Sequence, residues 1–482
     1  METPISPASS AHDHYPPHLE RTLQAVNWSA LAALAVDIYQ ASTFTWGAQL
    51  HGASNLVRFL KLCSNEDVKV VIRVPYTLEE GINEKEKELS RLAMESEVAT
   101  MEYVSSHSHI PVPHVIAYSS SSDGGGIGFP YMNMSKADGT PLCSVWNEMQ
   151  AEQCEVMLRQ VVEIILQLSS LRFESIGAIF KRKGGTDHSS WMTLPLTKIN
   201  SDEIWTIWPE GADKTFTSAF DYWITYATRN IKRIDRNNFG SMKDYDYVYA
   251  WLHRSLVPSL YNTSLNTKGF PINHSDFHSQ NILIIDANTP SPRITAILDW
   301  EGSFTGPTSS FTQYPLFIVD HPFWEGDHPM RPRNKQDQTM FNRLMHEAEG
   351  KLDPDGGLPL SQAFEASHGV YLFEQLVSFP YWMGGQLFHP LFEHFFGEKE
   401  TNREAFSWAY YSTMINGPLK DKADQFKNET IVRQEAVEIL GEDSVVFKLT
   451  RSQFKSLALQ NLDKFPPGGE VRKWLDSKYA NE

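Results

Sequence analysis

The sequence predicts an α+β protein of two unequal lobes, a small strand-rich N-terminal lobe and a larger, mostly helical C-terminal lobe. Two observations predict this fold class. Up to about residue 135, short β-like apolar runs surround one long charged segment of helical period. After Asp138-Gly139-Thr140-Pro141, the apolar spacing becomes that of helices. We therefore expect a disordered leader at 1–17, an N-terminal lobe at 18–138 and a C-terminal lobe at 139–482.

The N-terminal lobe is predicted to contain two helices and four strands. LERTLQAVNWSALAALAVDIY has the apolar spacing of one helix, and NLVRFLKLC and VKVVIRVPY read as a hairpin around the turn Ser64–Asp67. The charged segment that ends at His107 predicts a long amphipathic helix. Two further strands are expected on either side of the Ser/Gly-rich turn Ser119–Gly126.

The C-terminal lobe is predicted to be helical except for one pair of strands. AEQCEVMLRQVVEIILQLSSL opens it as a helix, and helical segments follow near Phe216–Arg233 and Tyr245–Tyr261. NILIID and RITAILDW then read as two strands joined by the turn Ala287–Pro292. The last 180 or so residues are mainly helical and aromatic.

The composition excludes several classes of partner. The chain of 482 residues has 42 Lys and Arg against 59 Asp and Glu, a formal charge of −17, which argues against nucleic-acid binding. No run of eighteen apolar residues predicts a membrane span. Three scattered cysteines, Cys63, Cys143 and Cys154, indicate neither disulfides nor a thiolate zinc site. The N-terminus lacks the pattern of a signal or transit peptide, so we expect a cytoplasmic protein.

The stretch HSDFHSQNILII, from His274 to Ile285, concentrates polar side chains just before an apolar run. His274, Asp276 and His278 have the atoms that zinc prefers, but a loop does not project alternate residues together and no His/Cys pair stands nearby. An ordinary polar turn is a second interpretation. A phosphoryl-transfer loop is the third, and it accounts for the most residues.

Phosphoryl transfer needs a carboxylate near the acceptor hydroxyl and ligands for the metal that holds the phosphates. Asp276 supplies the carboxylate, and Asn281 follows it by five residues. Asp299 ends the second strand of the pair, where a returning strand would place it beside Asn281. One amide and one carboxylate are a suitable set for Mg²⁺, which takes its other ligands from phosphates and water.

HSDFHSQNILI followed by AILDWEG resembles the aminoglycoside phosphotransferase family, and FESIGAIF and the hinge-like PYMNMSKADGTPL resemble its fungal-type members. The resemblance covers about residues 45 to 325 and implies a two-lobed, protein-kinase-like fold. It implies Asp276 as the catalytic base, His274 as a brace for its loop, and Asn281 and Asp299 as Mg²⁺ ligands. ATP, with GTP as the alternative, is the implied phosphoryl donor, and a small-molecule hydroxyl is the implied acceptor.

The nucleotide-binding residues depart from the family pattern. Arg73 in VVIRVP takes the place of the family's strand lysine, and Glu97 stands where its helix partner is expected. Arginine can bridge phosphate and carboxylate but differs from lysine in geometry. Lys69 on the same strand face is the alternative phosphate partner. The phosphate-covering loop His51–Asn55 has one glycine, so Ser54 and Asn55 are expected to provide polar contacts instead.

The acceptor contacts are the least determined part of the predicted site. Acidic residues that would face a cationic acceptor are Glu301, Asp320 and Glu325, although solvent-facing acids in loops are equally consistent with the sequence. Trp205, Trp208 and Trp223 either wall an apolar pocket or pack in the core.

The leading hypothesis is a small-molecule kinase. An inactive nucleotide-binding or scaffold protein is the alternative, because the covering loop and Arg73 depart from the family pattern. A protein kinase is a third hypothesis, weakened because no Asp-Phe-Gly or Ala-Pro-Glu segment follows the catalytic loop.

Overall fold

The computed structural model describes most of the chain, in segments. These are residues 17–52, 54–63, 68–76, 84–121, 127–182, 190–195, 214–236, 243–261, 263–320, 324, 328–352, 360–378, 388–397, 407–417, 419–441, 443–447 and 449–477. The predictions that lie outside these residues concern the leader before Pro17, the turn Ser64–Asp67, Trp205, Trp208 and Glu325.

A five-stranded antiparallel sheet forms the N-terminal lobe, with the order β1-β2-β3-β5-β4. The strands are β1 Thr43–His51, β2 Asn55–Cys63, β3 Val68–Pro75, β4 Val115–Ser119 and β5 Tyr131–Ser135. The predicted hairpin is confirmed as β2 and β3. The sequence analysis misses β1, an edge strand on which every residue is exposed or half-buried, although Phe44, Trp46, Ala48 and Leu50 alternate along it.

The predicted first helix is wrong in one respect, because two helices replace it: α1 Pro17–Ala25 and α2 Trp28–Tyr39. Between them, the Asn27 side chain accepts a hydrogen bond from the Ala30 amide at 3.1 Å and caps α2. The inner side of α2 packs on the outer face of the sheet. That core contains Leu31, Ala32, Ala35, Leu60, Leu62, Val70, Ile72 and Val74.

The alternation of β3 turns Lys69 and Arg73 away from this core, because side chains of a strand point alternately to its two faces. The long helix α3, Glu84–His107, is confirmed, and its buried residues Val98, Met101 and Val104 join the core of the C-terminal lobe. The sheet and the C-terminal lobe thus meet along the face of β3 that carries Arg73.

The chain passes to the C-terminal lobe between Ser135 and Thr140. The short strand β6, Thr140–Pro141, already pairs with a strand of that lobe. Gly139 has φ of +137°, and a Cβ here would lie 2.7 Å from the Ile284 carbonyl oxygen. The close approach of two backbones therefore requires a glycine at this junction.

The C-terminal lobe is built on α4, Ala151–Ser170. The strands are β7 Arg172–Phe173, β8 Ala178–Lys181, β9 Trp191–Leu194, β10 Phe270–Asn273, β11 Ile282–Ile285, β12 Arg293–Ile297 and β13 Phe304–Thr305. Helix α4 packs against the two small sheets that contain β10 and β12, while the sheet of β8 and β9 packs against α3. The predicted pair is confirmed as β11 and β12, which are antiparallel, and β6 joins them. β10 lies between β7 and β13.

Helices form most of the remainder, as predicted. They are α5 Ala219–Arg236, α6 Lys243–Ser255, α7 Val257–Leu260, α8 Thr308–Phe311, α9 Arg331–Leu352, α10 Leu360–Glu365, α11 His368–Ser378 and α12 Phe388–Phe396, then Lys420–Leu440, Asp443–Val446, Arg451–Gln460 and Glu470–Leu475. Trp223 is 5% exposed and packs against Tyr222 and Phe373, so it belongs to the core and does not wall a pocket. Within the described segments, no helix is long and apolar enough to cross a membrane.

Candidate active site

The loop that connects β10 to β11 carries the candidate catalytic residues. It runs from His274 to a single turn of 3₁₀ helix at Ser279–Asn281. The His278 side chain caps this turn by accepting a hydrogen bond from the Gln280 amide at 3.2 Å. Buried strands on both sides, β10 and β11, hold the ends of the loop in the core.

His274 fixes this loop against the segment that follows β12. Its Nε2 lies 2.9 Å from the Leu298 carbonyl oxygen and its Nδ1 accepts a hydrogen bond from the Asp276 amide at 3.3 Å. Burial lowers the pKa of His274 to about 4, which the bond to Leu298 only partly opposes, so the ring is neutral and donates through Nε2. Both ring nitrogens are engaged within the protein, which is incompatible with a zinc ligand, and the role of His274 as a brace of the loop stays a prediction.

Asp276 is exposed, and its carboxylate is oriented by Asn281. The Asn281 Nδ2 donates to Asp276 Oδ2 at 2.9 Å and to the Asp276 carbonyl oxygen at 3.0 Å. The side-chain nitrogen of Asn281 therefore donates within the loop, and Oδ1 is the atom that suits a cation. These two hydrogen bonds hold Asp276 and Asn281 together as one unit of the loop.

Asp299 lies beside Asn281, as the returning strand predicts. The Leu298 amide donates to the Asn281 carbonyl oxygen at 2.7 Å. Asp299 itself has φ of +58°, a left-handed conformation that is uncommon for an aspartate, and its side chain is 45% exposed. Trp300 anchors the segment: it is fully buried, bonds the Ile297 carbonyl oxygen and packs edge-on against the His274 ring at 4.7 Å.

The N-terminal lobe adds a buried ion pair to the site. Arg73 on β3 contacts the Glu97 carboxylate on α3, and their side chains are 11% and 2% exposed. Arg73 Nη1 also lies 3.9 Å from Asp299 Oδ1. The structure thus brings together Arg73, Glu97 and Asp299 from three distant parts of the sequence.

Burial works against the charge on both members of this pair. For Arg73, burial lowers the pKa, but Glu97, Glu301 and Asp299 together outweigh it and hold the pKa above its ordinary value. For Glu97, burial raises the pKa to about 7 against the opposing charge of Arg73. Arg73 is therefore a permanent cation next to Asp299.

The covering loop reaches across to the C-terminal lobe. Asn55 Nδ2 donates to Glu301 Oε2 at 3.4 Å, and Ser54 is exposed within the loop. The Glu301 carboxylate thus contacts the covering loop and also acts electrostatically on Arg73 and Glu97, and its role in acceptor binding stays a prediction. Glu301 lies in the turn after Asp299, and the sequence alone does not predict which lobe its side chain faces.

Two other predicted residues, Asp320 and Lys69, form ion pairs away from Asp299. Asp320 pairs with Arg331 at 3.3 Å, which compensates its charge, and its role in acceptor binding stays a prediction. Lys69 lies 3.7 Å from Asp138 at the junction of the lobes. Arg73 is therefore the better placed of the two cations for phosphates near Asp299.

The oxygen donors at the site fit Mg²⁺ better than zinc. Asn281 Oδ1 and the half-exposed Asp299 carboxylate would hold the ion together with phosphate oxygens. Among the described residues, no group of three or more His, Cys, Asp and Glu side chains is arranged to hold a metal ion. Such a shared site, completed by a substrate, needs no larger set of protein ligands.

Sequence reasoning missed two residues that fix this geometry. Ser275 Oγ donates to the Glu301 carbonyl oxygen at 2.7 Å, and Tyr76 bonds the covering loop at Gly52. Neither has a signal of its own in the sequence, because a serine in a polar loop and a tyrosine after a strand are common.

Comparisons with known proteins identify the family of the chain. Residues 49–309 match the family described as the phosphotransferase enzyme family, APH. A subtelomeric hrmA-associated cluster protein of Aspergillus fumigatus is 31% identical over 88 residues, 18% of this chain and 17% of that protein. The chain thus matches less than a fifth of the length of that curated relative.

Solved structures with a similar fold include two aminoglycoside phosphotransferases. One is APH(4)-Ia with AMP-PNP and hygromycin B, with 13% identity, a TM-score of 0.39, and coverage of 79% of this chain and 95% of that one. The other is the GDP complex of aminoglycoside 2'-phosphotransferase-IIIa, with 13% identity and a TM-score of 0.41. The match covers 80% of this chain and 100% of that one. With more than half of its length matched by the family and the two lobes arranged as described, this chain belongs to the phosphotransferase enzyme family, with a kinase-like fold.

Proposed function

We propose that this phosphotransferase is a magnesium-dependent kinase that transfers the γ-phosphoryl group of ATP or GTP to a hydroxyl group of a small molecule. The observation that carries the proposal is the unit formed by Asp276, Asn281 and His274 next to Asp299. A division into lobes at 138/139 and a cytoplasmic location remain part of the proposal.

Asp276 is the proposed base. Its exposed carboxylate accepts the proton of the acceptor hydroxyl as that oxygen attacks the γ-phosphorus. A new oxygen–phosphorus bond forms, and the bond between the γ-phosphorus and the β–γ bridging oxygen breaks, so the nucleoside diphosphate leaves. The bond from Asn281 holds the carboxylate in place, and the neutral His274 holds the loop.

The charged groups at the junction of the lobes are proposed to bind the nucleotide phosphates. Magnesium, when bound, neutralises charge on the phosphates. Asn281 and Asp299 are its proposed protein ligands, and Arg73 adds a cation that Glu97 keeps in position. Ser54 and Asn55 are proposed to contact the nucleotide from the covering loop, while Asp320 and Glu325 remain the candidates for acceptor contacts.

The test is an incubation of the purified chain with MgATP or MgGTP and a panel of amino-alcohols, aminoglycosides and low-molecular-weight cell extract. Mass spectrometry should detect one acceptor that gains a single phosphate. Asp276→Asn should lower the rate of transfer by about 10²–10⁴-fold with nucleotide binding retained. Asp286→Asn is the matched control, since Asp286 is also a partly exposed aspartate of this region but pairs with Arg293 at 3.3 Å.

An inactive nucleotide-binding protein is the second candidate. The single glycine of the covering loop and the arginine at position 73 favour it. Magnesium-dependent nucleotide binding without phosphate gain by any compound of the panel or extract would support this candidate and contradict the kinase.

A further inference from the structure

The first helix of the chain reaches the covering loop through one tyrosine. Tyr76, the residue after β3, donates from its hydroxyl to the Gly52 carbonyl oxygen at 2.7 Å, and its amide donates to the Ser54 carbonyl oxygen at 3.0 Å. The His18 ring of α1 packs edge-on against the Tyr76 ring, with 4.8 Å between centroids. Tyr76 thus bonds the loop at two points and is itself supported by α1.

The same loop is fixed on its other side. The Gly52 amide donates to the Asn55 carbonyl oxygen at 2.9 Å, which closes the turn, and Asn55 Nδ2 reaches Glu301 of the C-terminal lobe. A continuous series of contacts therefore leads from α1 through Tyr76 and the loop to the residue two positions after Asp299.

These contacts can compensate for the low glycine content of the covering loop. A glycine-rich loop can bring its backbone close to phosphates because glycine tolerates conformations that other residues rarely adopt. Residues 51–55 include only one glycine, and neighbouring groups bond the loop at Gly52, Ser54 and Asn55. His18 and α1 lie outside the residues matched by the family, 49–309, so this support is additional to the matched region.

From these contacts we infer that Tyr76, supported by His18, is a positioning residue that holds the covering loop over the nucleotide phosphates. It acts through the loop backbone and does not itself touch the reacting atoms. The inference rests on the proposed nucleotide-binding function, and it assigns part of nucleotide affinity to a helix that precedes the family domain.

Tyr76→Phe removes one hydrogen bond and keeps the ring. Binding of Mg·AMP-PNP should weaken by about three- to tenfold, whereas binding of adenosine, which has no phosphates, should not change. With an acceptor in hand, the Michaelis constant for the nucleotide should rise with little change in kcat. His18→Ala should weaken Mg·AMP-PNP binding less and likewise leave adenosine binding unchanged. Tyr118→Phe, at an exposed position of the edge strand β4, should bind both ligands like the wild type.

Three results would overturn the inference. The first is equal Mg·AMP-PNP affinity of Tyr76→Phe and the wild type. The second is an equal loss for adenosine, which would show that Tyr76 supports the lobe as a whole. The third result comes from amide hydrogen exchange, which tests the contacts of Tyr76 with the covering loop even if the wild type binds no nucleotide and the proposed function fails. Residues 51–55 should exchange faster in Tyr76→Phe than in Tyr118→Phe, and equal rates would also overturn it.

Discussion

Replacement of Arg73 by methionine tests the buried ion pair between the lobes. Methionine keeps most of the aliphatic stem but removes the charge, which leaves Glu97 at 2% exposure without its partner. Loss of one partner of a buried pair costs about 3–5 kcal/mol. The nearby Asp299 and Glu301 carboxylates add to the cost, because Arg73 compensates their charges as well.

The cost should depend on pH, since Glu97 can take up a proton. Burial already raises the pKa of Glu97 to about 7, and removal of Arg73 should raise it further. An acid whose pKa is higher in the folded state loses stability as the pH rises from the unfolded value through the folded one. The deficit of Arg73→Met should therefore be small up to about pH 7, where Glu97 is protonated in both folded proteins, and should grow by up to about 1.4 kcal/mol per pH unit above it. The full 3–5 kcal/mol, roughly, is reached only at a pH where Glu97 is ionised in the variant as well.

Urea unfolding of the wild type and the variant at pH 5, 6, 7 and 8 measures this deficit. Arg159→Met is the matched control, because Arg159 is 41% exposed and pairs with Glu155 and Glu347 on the surface. That control should lose less than about 1 kcal/mol at every pH. An Arg73→Met deficit that is equally small, or that does not grow with pH, would refute the reasoning.

Two further changes test other parts of the fold. Glu374 has a buried Oε1 without a hydrogen-bond partner among the described residues, and burial raises its pKa to about 8. Glu374→Gln should match the wild type near pH 4.5 and be more stable by up to about 4 kcal/mol above pH 8, and parallel pH curves in thermal unfolding would contradict this. Gly139→Ala places a Cβ 2.7 Å from the Ile284 carbonyl oxygen and should destabilise by about 1–3 kcal/mol. Gly350→Ala, in open space on α9, should stabilise by about 0.5–1 kcal/mol, and similar effects of the two changes would argue against the close approach at Gly139.

Periodicity predicted the elements in which one face is buried. The alternation of Val70, Ile72 and Val74 identifies β3, and the apolar spacing of α3 and α4 identifies both helices. β1 was not predicted, although Phe44, Trp46, Ala48 and Leu50 alternate along it and no residue of it is fully buried. At Asn27, one capping side chain divides a continuous helical pattern. Local patterns do not reveal which of two compatible conformations the tertiary contacts select.

The candidate site was predicted where its residues are close in sequence. Asp276 and Asn281 share one loop, and Asp299 follows from the strand pair that returns to it. The contact of Glu301 with Asn55 could not be predicted, because it depends on how the two lobes are placed relative to each other. Tyr76 could not be found, because its partners Gly52 and His18 are distant in sequence and have no characteristic spacing.

The most direct test of the proposed kinase compares phosphoryl transfer with nucleotide binding in the wild type and Asp276→Asn. Initial rates are measured with γ-labelled nucleotide and an acceptor identified from the panel, and the Kd for Mg·AMP-PNP is measured on the same preparations. We expect a rate about 10²–10⁴-fold lower for the variant, with a Kd within about twofold of the wild type. Equal rates of transfer by both proteins would contradict the assignment of Asp276 as the base.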